Sequence, residues 1–575
     1  MFKKNILLKL DRFFKILFVL YLGIIFYLSA QSSVAQVGLF NFPYSDKVIH
    51  FVEYSLLALI GYFAFRKIRN YKLKLLIFGL IFAFSDEIHQ LFVPNRVFDY
   101  YDLIMDILPF LIIQFIKYPL NVSEIKIKGK YKNKIYELLR SIIFDINIKK
   151  SGRSNFTIWI QDKYIYYFYK NKLFYKKRYK LDDPKQVKKE IYLDLKNFLE
   201  REISKWGIIY ITRPIKKLHY IEGSYKKKKK KLKKKYLVSS EKANLMMDLY
   251  KIENRVVSNL NKSTKALYVN IPFCPSKCAY CSFTSYSLQT FSKYYKDYIK
   301  LLKKELYKKL ANNDSNNIRI IYFGGGTPMT LENQDLIDIF NLIFKFVDKS
   351  NLIEFTFEGG RPELFSREKL NILENYGINR IAINPQSLNS KTLNKVEREH
   401  SIDDFYKAYH KTIKYNFQII NSDLILGLPG ENYKHHIKTV NKLLKLERIN
   451  NITVHILSPK KGSKLYQSGY NFNKSVLKSH KKIDRLLKNN NFRPYYLYKQ
   501  RHILDNLENI GYEKNGELSY YNIIMISETH EIIGAGAGAS SKLLKEGNMI
   551  TERNPKGLVN YIKTMEKKIG NEIQI

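Results

Sequence analysis

The chain of 575 residues has three cysteines, and all fall in one stretch: Cys274-Pro275-Ser276-Lys277-Cys278-Ala279-Tyr280-Cys281. Thiolates this closely spaced are metal ligands in waiting. A closed structural zinc site usually takes four ligands, and no further Cys or His follows nearby. Three thiolates are the right number for a four-iron cluster with one iron left open. Cys274, Cys278 and Cys281 are therefore the candidate metal ligands. Three cysteines also exclude a disulfide-built secreted module. Unpaired thiols and an oxygen-sensitive cluster belong in a reducing cytoplasm.

Further chemistry-bearing residues follow in order. They are Gly324-Gly325-Gly326-Thr327-Pro328, then Glu358-Gly359-Gly360-Arg361-Pro362-Glu363, then Asn384-Pro385-Gln386-Ser387. Arg398 and His400 are expected on the next helix, and Asp423 opens Asp423-Leu424-Ile425-Leu426-Gly427-Leu428-Pro429-Gly430. Glycines let a backbone approach a ligand closely. As isolated residues the others would be routine strand-end caps or turns.

What must position them is a series of apolar, strand-like runs: Ala266–Pro272, Ile318–Gly324, Glu354–Gly360, Arg380–Gln386, Ile419–Pro429 and Ile452–Pro459. Helical patterns such as Phe291–Leu310 and Leu331–Phe346 separate them. Six βα repeats predict a parallel sheet curled into a partial barrel. In such barrels chemistry gathers at the C-terminal strand ends, where the unusual residues lie.

The Cys-x3-Cys-x2-Cys spacing, with Tyr280 before the third cysteine, resembles the radical SAM superfamily. The resemblance implies a [4Fe-4S] cluster whose open iron takes the amino and carboxylate groups of S-adenosylmethionine. It implies that Tyr280, Gly324, Gly325, Gly326 and Thr327 lie against the cofactor, with Glu358 towards the methionine ammonium and Gln386 towards the ribose. Arg398 and Asp423 complete that set. Within the superfamily, the order of these motifs resembles the coproporphyrinogen-oxidase-like branch. Pro494–Gln500, Asn506–Tyr512, Tyr521–Ile523 and Gly534–Lys542 are similar to the HemZ-type coproporphyrinogen dehydrogenases. So are Lys205–Ile208, Thr212–Pro214 and Tyr236–Val238, so the resemblance covers about residues 121–575. It implies oxidative decarboxylation of porphyrinogen propionates to vinyl groups, a tetra-anionic substrate, and an electron-donor protein. Arg361 and Arg213 are candidates to meet the substrate carboxylates. Two residues depart from the pattern: Phe283 stands where oxygen-independent oxidases carry a fourth cysteine, and Glu397 stands where related chains have Gly. A haem-binding or haem-delivering chaperone on the same fold therefore remains the alternative.

The N-terminal region has four apolar runs: Phe13–Ala30, Val48–Phe65, Leu73–Phe92 and Leu103–Tyr118. They predict an α-helical membrane domain of about four transmembrane helices. Lys3, Lys4, Lys9, Arg12, Arg66, Lys67, Arg69 and Lys72 flank them on one side, against Lys47 and Arg96 on the other, placing both termini in the cytoplasm. Inside the runs lie Asp46-Lys47-x-x-His50-x-x-Glu53-Tyr54 and Ser85-Asp86-Glu87-x-x-Gln90, followed by Arg96 and Asp102. This pattern resembles the VanZ-like membrane family, with Pro109 where Gly is common. A polar network that only ties the helices together is the plainer reading.

The net charge of +46 is uneven. Residues 1–118 carry +5, 119–260 carry +23, and the rest +18. The middle region mixes strand-like runs (Thr157–Ile160, Tyr164–Tyr169) with a helical pattern over Lys185–Trp206 and the basic run Lys226–Lys235. That run reads either as a solvated linker or as a surface for anionic lipid, worth about 1 kcal/mol per basic residue. No base-reading motif accompanies it, and nucleic acid is not an expected partner. The chain is thus expected to be multidomain. Residues 1–118 form the VanZ-like membrane domain and 119–260 a basic α+β domain with a Lys-rich linker. Residues 261–465 form an α/β partial (β/α)6 TIM-like radical SAM barrel and 466–575 a C-terminal extension.

Overall fold

The computed structural model describes residues 6–31, 44–65, 68, 70–94, 96–116, 120–143, 146–179, 183–312, 314–458, 460–470 and 475–569. Lys3, Lys4, Arg66, Lys67, Arg69, Pro459 and the side chains of Lys9 and Arg12 lie outside the described residues. The chain divides into two compact units, Met1–Ile208 and Ile209–Ile575.

The first unit opens with four helices, α1 (Ile6–Ser29), α2 (Ser45–Phe65), α3 (Tyr71–Gln90) and α4 (Tyr100–Ile112). They pack through Phe18, Tyr54, Leu57, Leu75, Ala83 and Phe110. Gly79 lets α3 and α4 touch, because a Cβ there would come within 2.4 Å of the Phe110 ring. The outward faces are apolar as well: Val19, Leu20, Ile81, Ile104 and Phe115 are exposed. A water-soluble bundle carries polar residues there, whereas a contiguous apolar outer surface marks a face that meets lipid or another protein. Four helices are present, but among the described residues only α2 is both long and apolar enough to cross a membrane, with Phe13–Ser29 a shorter apolar stretch. α4, at 13 residues, falls short of the roughly 20 that a spanning helix takes.

The unit continues with β1 (Glu124–Gly129), α5 (Lys132–Ile142), β2 (Asn147–Lys149), β3 (Phe156–Gln161), β4 (Tyr164–Tyr169), β5 (Lys172–Arg178) and α6 (Pro184–Phe198). The strands form one sheet in the order β2-β1-β3-β4-β5. α6 ends eight residues before the expected Trp206. Glu200 turns into the left-handed region (φ 46°), and Trp206 is buried outside any helix.

The second unit starts with α7 (Lys216–His219), α8 (Tyr225–Tyr236) and α9 (Ser240–Asn259). The Lys-rich run is therefore a helix, α8, and not a linker. Lysine is a good helix former, and a single apolar residue, Leu232, anchors the helix by complete burial. Lys228 Nζ donates to the Leu218 carbonyl at 2.7 Å and also to that of Ile221.

The βα repeats follow: β6 (Lys265–Ile271), β7 (Phe273–Cys274), β8 (Tyr286–Ser287), α10 (Leu288–Phe291), α11 (Tyr295–Ala311), β9 (Ile318–Gly325), α12 (Asn333–Phe344), β10 (Glu354–Gly360), α13 (Arg367–Asn375), β11 (Arg380–Ile383), α14 (Ser390–Lys395), α15 (Ile402–Thr412), β12 (Ile419–Leu426), α16 (Tyr433–Leu444) and β13 (Ile449–Ile456). Strands β6 and β9 to β13 are parallel and adjacent in chain order, as repeated βα crossovers require. The remaining elements are α17 (Lys464–Gln467), α18 (Leu477–Asn489), β14 (Arg493–Tyr498), β15 (Asn509–Glu513), α19 (Tyr520–Ser527), β16 (Glu531–Ala535), β17 (Ser540–Lys545), β18 (Asn548–Arg553) and α20 (Leu558–Ile569). They extend the same sheet at both edges, β14 and β15 beyond β13, and β16 to β18 beyond β6.

Candidate active site

The cysteine loop leaves β6 at its C-terminal end. Cys278 is buried, Cys274 and Cys281 are half-buried, and all three thiols are free. The loop is tied down by its backbone: Cys281 N–H donates to the Cys278 carbonyl at 3.0 Å, and Ala279 N–H to that of Val396 at 2.8 Å. Burial pushes the Cys274 and Cys281 thiols up, and the other sulfurs push in the same direction. Three free thiols brought together, with Cys274 and Cys281 held back from ionising by burial, suit a cationic metal.

The glycine turn after β9 lies directly beneath. Gly326 N–H donates to the Ile271 carbonyl at 2.7 Å. A Cβ on Gly326 would sit 2.6 Å from the Phe273 carbonyl oxygen and 3.0 Å from Cys274 Sγ. Gly325 has φ +110°, and a Cβ there would strike Asn270 Oδ1 at 2.3 Å. Thr327 is buried, and its Oγ1 lies 3.4 Å from Cys274 Sγ.

Two buried arginines approach from the far side. Arg361 Nη1 lies 3.4 Å from Cys278 Sγ, its Nη2 donates to Ser276 Oγ at 3.2 Å, and its Nε to Glu363 at 2.7 Å. Arg398 Nη1 lies 3.7 Å from the same sulfur and 3.4 Å from the Tyr280 hydroxyl, while Nη2 donates to the carbonyls of Gly360 (3.0 Å) and Asn384. Arg398 and His400 lie between α14 and α15 rather than on a helix. His400 is buried with neither ring nitrogen hydrogen-bonded among the described residues, and burial, then Arg398 and Arg361, lower its pKa to about 3. Arg361 thus faces a cysteine.

Along the strand ends, Glu358 accepts from the Tyr322 hydroxyl, and its Oε2 would be 3.0 Å from a Cβ on Gly324. Burial, reinforced by nearby Asp423, raises the Glu358 carboxyl to about 7. Gln386 takes a left-handed φ of 61° just past β11 and bridges to Leu424 of β12. Its Oε1 is buried and accepts nothing among the described residues. Burial opposes ionisation of Asp423, but His455 (3.6 Å) and Asn421 Nδ2 (2.8 Å) outweigh it and hold the carboxyl below its usual range. Arg213 is elsewhere. It pairs with Glu528, just before β16, and β16 pairs with the Lys265 end of β6, opposite the cysteines.

His455 and Tyr322 are site neighbours outside the motifs, and Tyr498, inside the Pro494–Gln500 motif, brings its hydroxyl to 3.0 Å from His455 Nδ1. The signal was an alternation inside buried strands: Glu354-x-Thr356-x-Glu358, Asn421-x-Asp423 and Asn451-x-Thr453-x-His455. Residues two apart on a strand share a face, so each series lines the inside of the sheet.

A parallel βα sheet with three free cysteines at its β6 end and a glycine turn beneath them defines a radical SAM protein. The Radical SAM superfamily description matches residues 268–443, and VanZ/LLP1 matches residues 2–118. The chain is 35% identical over 414 residues to the oxygen-independent coproporphyrinogen-III oxidase-like protein HemZ of Bacillus subtilis strain 168, covering 68% of this chain and 81% of that one. It belongs to this HemZ-type family, fused to a VanZ-like N-terminal region. The heme chaperone HemW of the same organism is 33% identical over 186 residues, 32% of this chain and 48% of that one. The solved coproporphyrinogen III oxidase HemN of Escherichia coli has 17% identity and a TM-score of 0.44, over 56% of this chain and 72% of that one. Superfamily membership brings a [4Fe-4S] cluster and S-adenosylmethionine as cofactors. The converging free thiols, the Gly326 approach and the orphaned Gln386 oxygen fit them.

Proposed function

We propose that the chain carries out oxygen-independent oxidative decarboxylation of coproporphyrinogen III propionates to vinyl groups, giving protoporphyrinogen IX, as a membrane-tethered enzyme. The observation that carries this reading is the joint placement of Cys274, Cys278 and Cys281 with Glu358, Gln386 and Asp423 at one end of the strands, in a chain spanning 81% of a HemZ relative. Cys274, Cys278 and Cys281 would hold the cluster. Tyr280, Gly324, Gly325, Gly326, Thr327, Glu358, Gln386, Arg398 and Asp423 would hold S-adenosylmethionine. When bound, these groups supply one-electron cleavage to a carbon-centred radical that takes hydrogen from the substrate.

The protein's part is positioning and exclusion of water. Arg361 and Arg398 neutralise charge at Cys278. Ionised Glu358 offers a carboxylate to the methionine ammonium, and Tyr322 orients it. Gln386 presents a buried amide to a ribose hydroxyl, and Asp423, steadied by His455, offers a second acceptor. The apolar outer faces of α1 to α4 support a multi-pass anchor in the cell membrane, with the barrel in the cytoplasm. The exposed lysines of α8 suit an anionic leaflet.

The haem-chaperone reading keeps one specific support: Phe283, at the position of the oxidases' fourth cysteine, is 69% exposed. One assay separates the two. Reconstituted full-length protein is given S-adenosylmethionine, reductant and coproporphyrinogen. Carbon dioxide and vinyl products are expected; their absence together with stoichiometric haem binding overturns the oxidase. Resistance to carbonate extraction from membranes tests the anchor.

A further inference from the structure

The VanZ-like bundle buries more negative charge than it balances. At the end of the bundle where α2 starts, α3 finishes and α4 starts, the side chains of Asp86, Glu87, Asp102 and Asp106 converge. Lys47 is committed to Asp99, to Asp102 at 2.7 Å and to the exposed Asp46 at 3.0 Å. Asp86 accepts from the Tyr54 hydroxyl at 3.0 Å. That leaves Glu87 and Asp106, both 0% exposed, sharing the single imidazole of His50. Two buried carboxylates against one imidazole leave an uncompensated charge even when the ring is protonated, and such charges are costly in a low-dielectric interior.

The atoms point to what would compensate it. His50 Nδ1 lies 3.0 Å from Asp106 Oδ1. One ligand atom each from His50, Glu87 and Asp106 fall within 4.8 Å of one another. Glu87 Oε1 and Asp106 Oδ2 are buried and accept no hydrogen bond among the described residues. The surroundings hold the ligands in place. Glu87 Oε2 accepts from the Asp99 backbone N–H at 3.1 Å, which leaves Oε1 for another partner. His50 Nε2 faces Asp102 Oδ2 at 3.9 Å, while Nδ1 is turned towards Asp106, so a metal ion between Nδ1 and Asp106 would take the place of the proton that joins them.

We infer that His50, Glu87 and Asp106 form a binding site for a first-row divalent metal ion, of the zinc or manganese type, with an open coordination position. One neutral imidazole, two carboxylates and a divalent cation sum to zero charge, so a bound ion would offset the charge of Glu87 and Asp106, while Asp86 stays held by the Tyr54 hydroxyl. Imidazole with carboxylate suits these ions rather than calcium or magnesium, which prefer all-oxygen shells. Ligand bonds of about 2.0–2.1 Å put tetrahedral donor atoms about 3.3 Å apart. The His50–Asp106 pair, at 3.0 Å, is already near that spacing, and the Glu87 ligand atom lies within 4.8 Å of both. Three protein ligands, rather than four, match sites that keep a place for water or a substrate oxygen.

The test uses the full-length, cluster-loaded protein in detergent, equilibrated with Zn2+ alone or Mn2+ alone and analysed for metal content, with iron counted in the same sample. One equivalent of Zn2+ or Mn2+ beyond the cluster iron is expected. The Glu87→Gln/Asp106→Asn double variant should lose affinity by more than about tenfold at unchanged iron content, whereas Asp46→Asn, at an exposed carboxylate, should keep it. Equal metal in the wild type and the double variant overturns the site, as does the absence of extra metal in the wild type. Should the double variant fail to fold, Co2+ added to the wild type decides. Ligand-field absorption without thiolate charge transfer supports the site; no such absorption, or a thiolate signature alone, overturns it.

Discussion

Arg361 Nη1 lies 3.4 Å from Cys278 Sγ, so an arginine that is only 2% exposed faces one of the three thiols proposed to hold the cluster. The same side chain reaches Ser276 and Glu363, which fixes it on both sides of the loop. Arg361→Ala removes a planar donor that links the loop after β10 to the cysteine loop. Hydrogen bonds to charged groups contribute about 1.5–3 kcal/mol each. The variant should therefore melt lower and retain less iron after reconstitution, whereas Arg361→Lys, which keeps the charge but not the fork, should fall between. Iron per chain and thermal midpoint check this; full iron in Arg361→Ala would remove Arg361 from the cluster's support.

Glu358 gives a pH prediction. Its carboxyl is raised to about 7, by burial first. If it pairs with the methionine ammonium, affinity for S-adenosylmethionine should rise as pH goes from 6 to 8 and the group ionises. Glu358→Gln should weaken binding by about 10–100-fold, the worth of one charge-assisted hydrogen bond, and flatten that dependence. Stability runs the other way. A carboxyl whose folded pKa exceeds its unfolded 4.5 contributes fully below pH 4.5 and loses that contribution as pH rises through 7. Calorimetric titration and melting curves of the two proteins at several pH values measure both trends.

The contrast between Glu358 and Arg213 shows which parts of this site a sequence can reveal. The cysteines, Gly324–Gly326 and the six strands are short-range patterns, with fixed spacing for the thiols and alternating apolar runs for the strands. The outline of the fold and the cluster end of the site follow from them. Arg213 belongs to no such pattern. Its position depends on β16 pairing with β6, residues separated by more than half the second unit. The same long-range pairing hides the edge strands of the C-terminal region. His455 was legible only through polar alternation within a buried strand, and α8 only by letting helix propensity outweigh the image of a charged linker. Trp206 illustrates the reverse error: helical spacing of apolar residues continued past Glu200, where the backbone turns left-handed and the helix has already ended.

Arg213 should accordingly behave as a structural residue. It shares Glu528 with Lys216 and with Lys542 at 3.2 Å. Burial opposes ionisation of Glu528, but Lys216 and Arg213 outweigh it and bring its carboxyl down to about 2. This contribution is present above pH 4.5 and lost as pH falls towards 2. Arg213→Ala should cost about 1 kcal/mol, since a partly exposed pair is screened, and should shrink the acid-side loss of stability. KM for the porphyrinogen should not move. A raised KM at unchanged stability would return Arg213 to the substrate.

Gly326 gives the most local prediction. A methyl at this position would meet the Phe273 carbonyl oxygen at 2.6 Å and Cys274 Sγ at 3.0 Å, with backbone on one side and a ligand atom on the other. Neither can move without shifting the first cysteine relative to the other two. Overpacking of this kind costs about 1–3 kcal/mol, and here the strain falls on the geometry that three thiols need to bind one cluster. Gly326→Ala should therefore lose reconstituted iron and the cluster's visible absorption even at temperatures where the chain stays folded. Gly462 is the matched control, because a Cβ there has nothing within 4 Å, and Gly462→Ala should load iron like the parent. Equal iron in both variants would mean that the turn after β9 tolerates side chains, and that its glycines serve the backbone rather than the cluster.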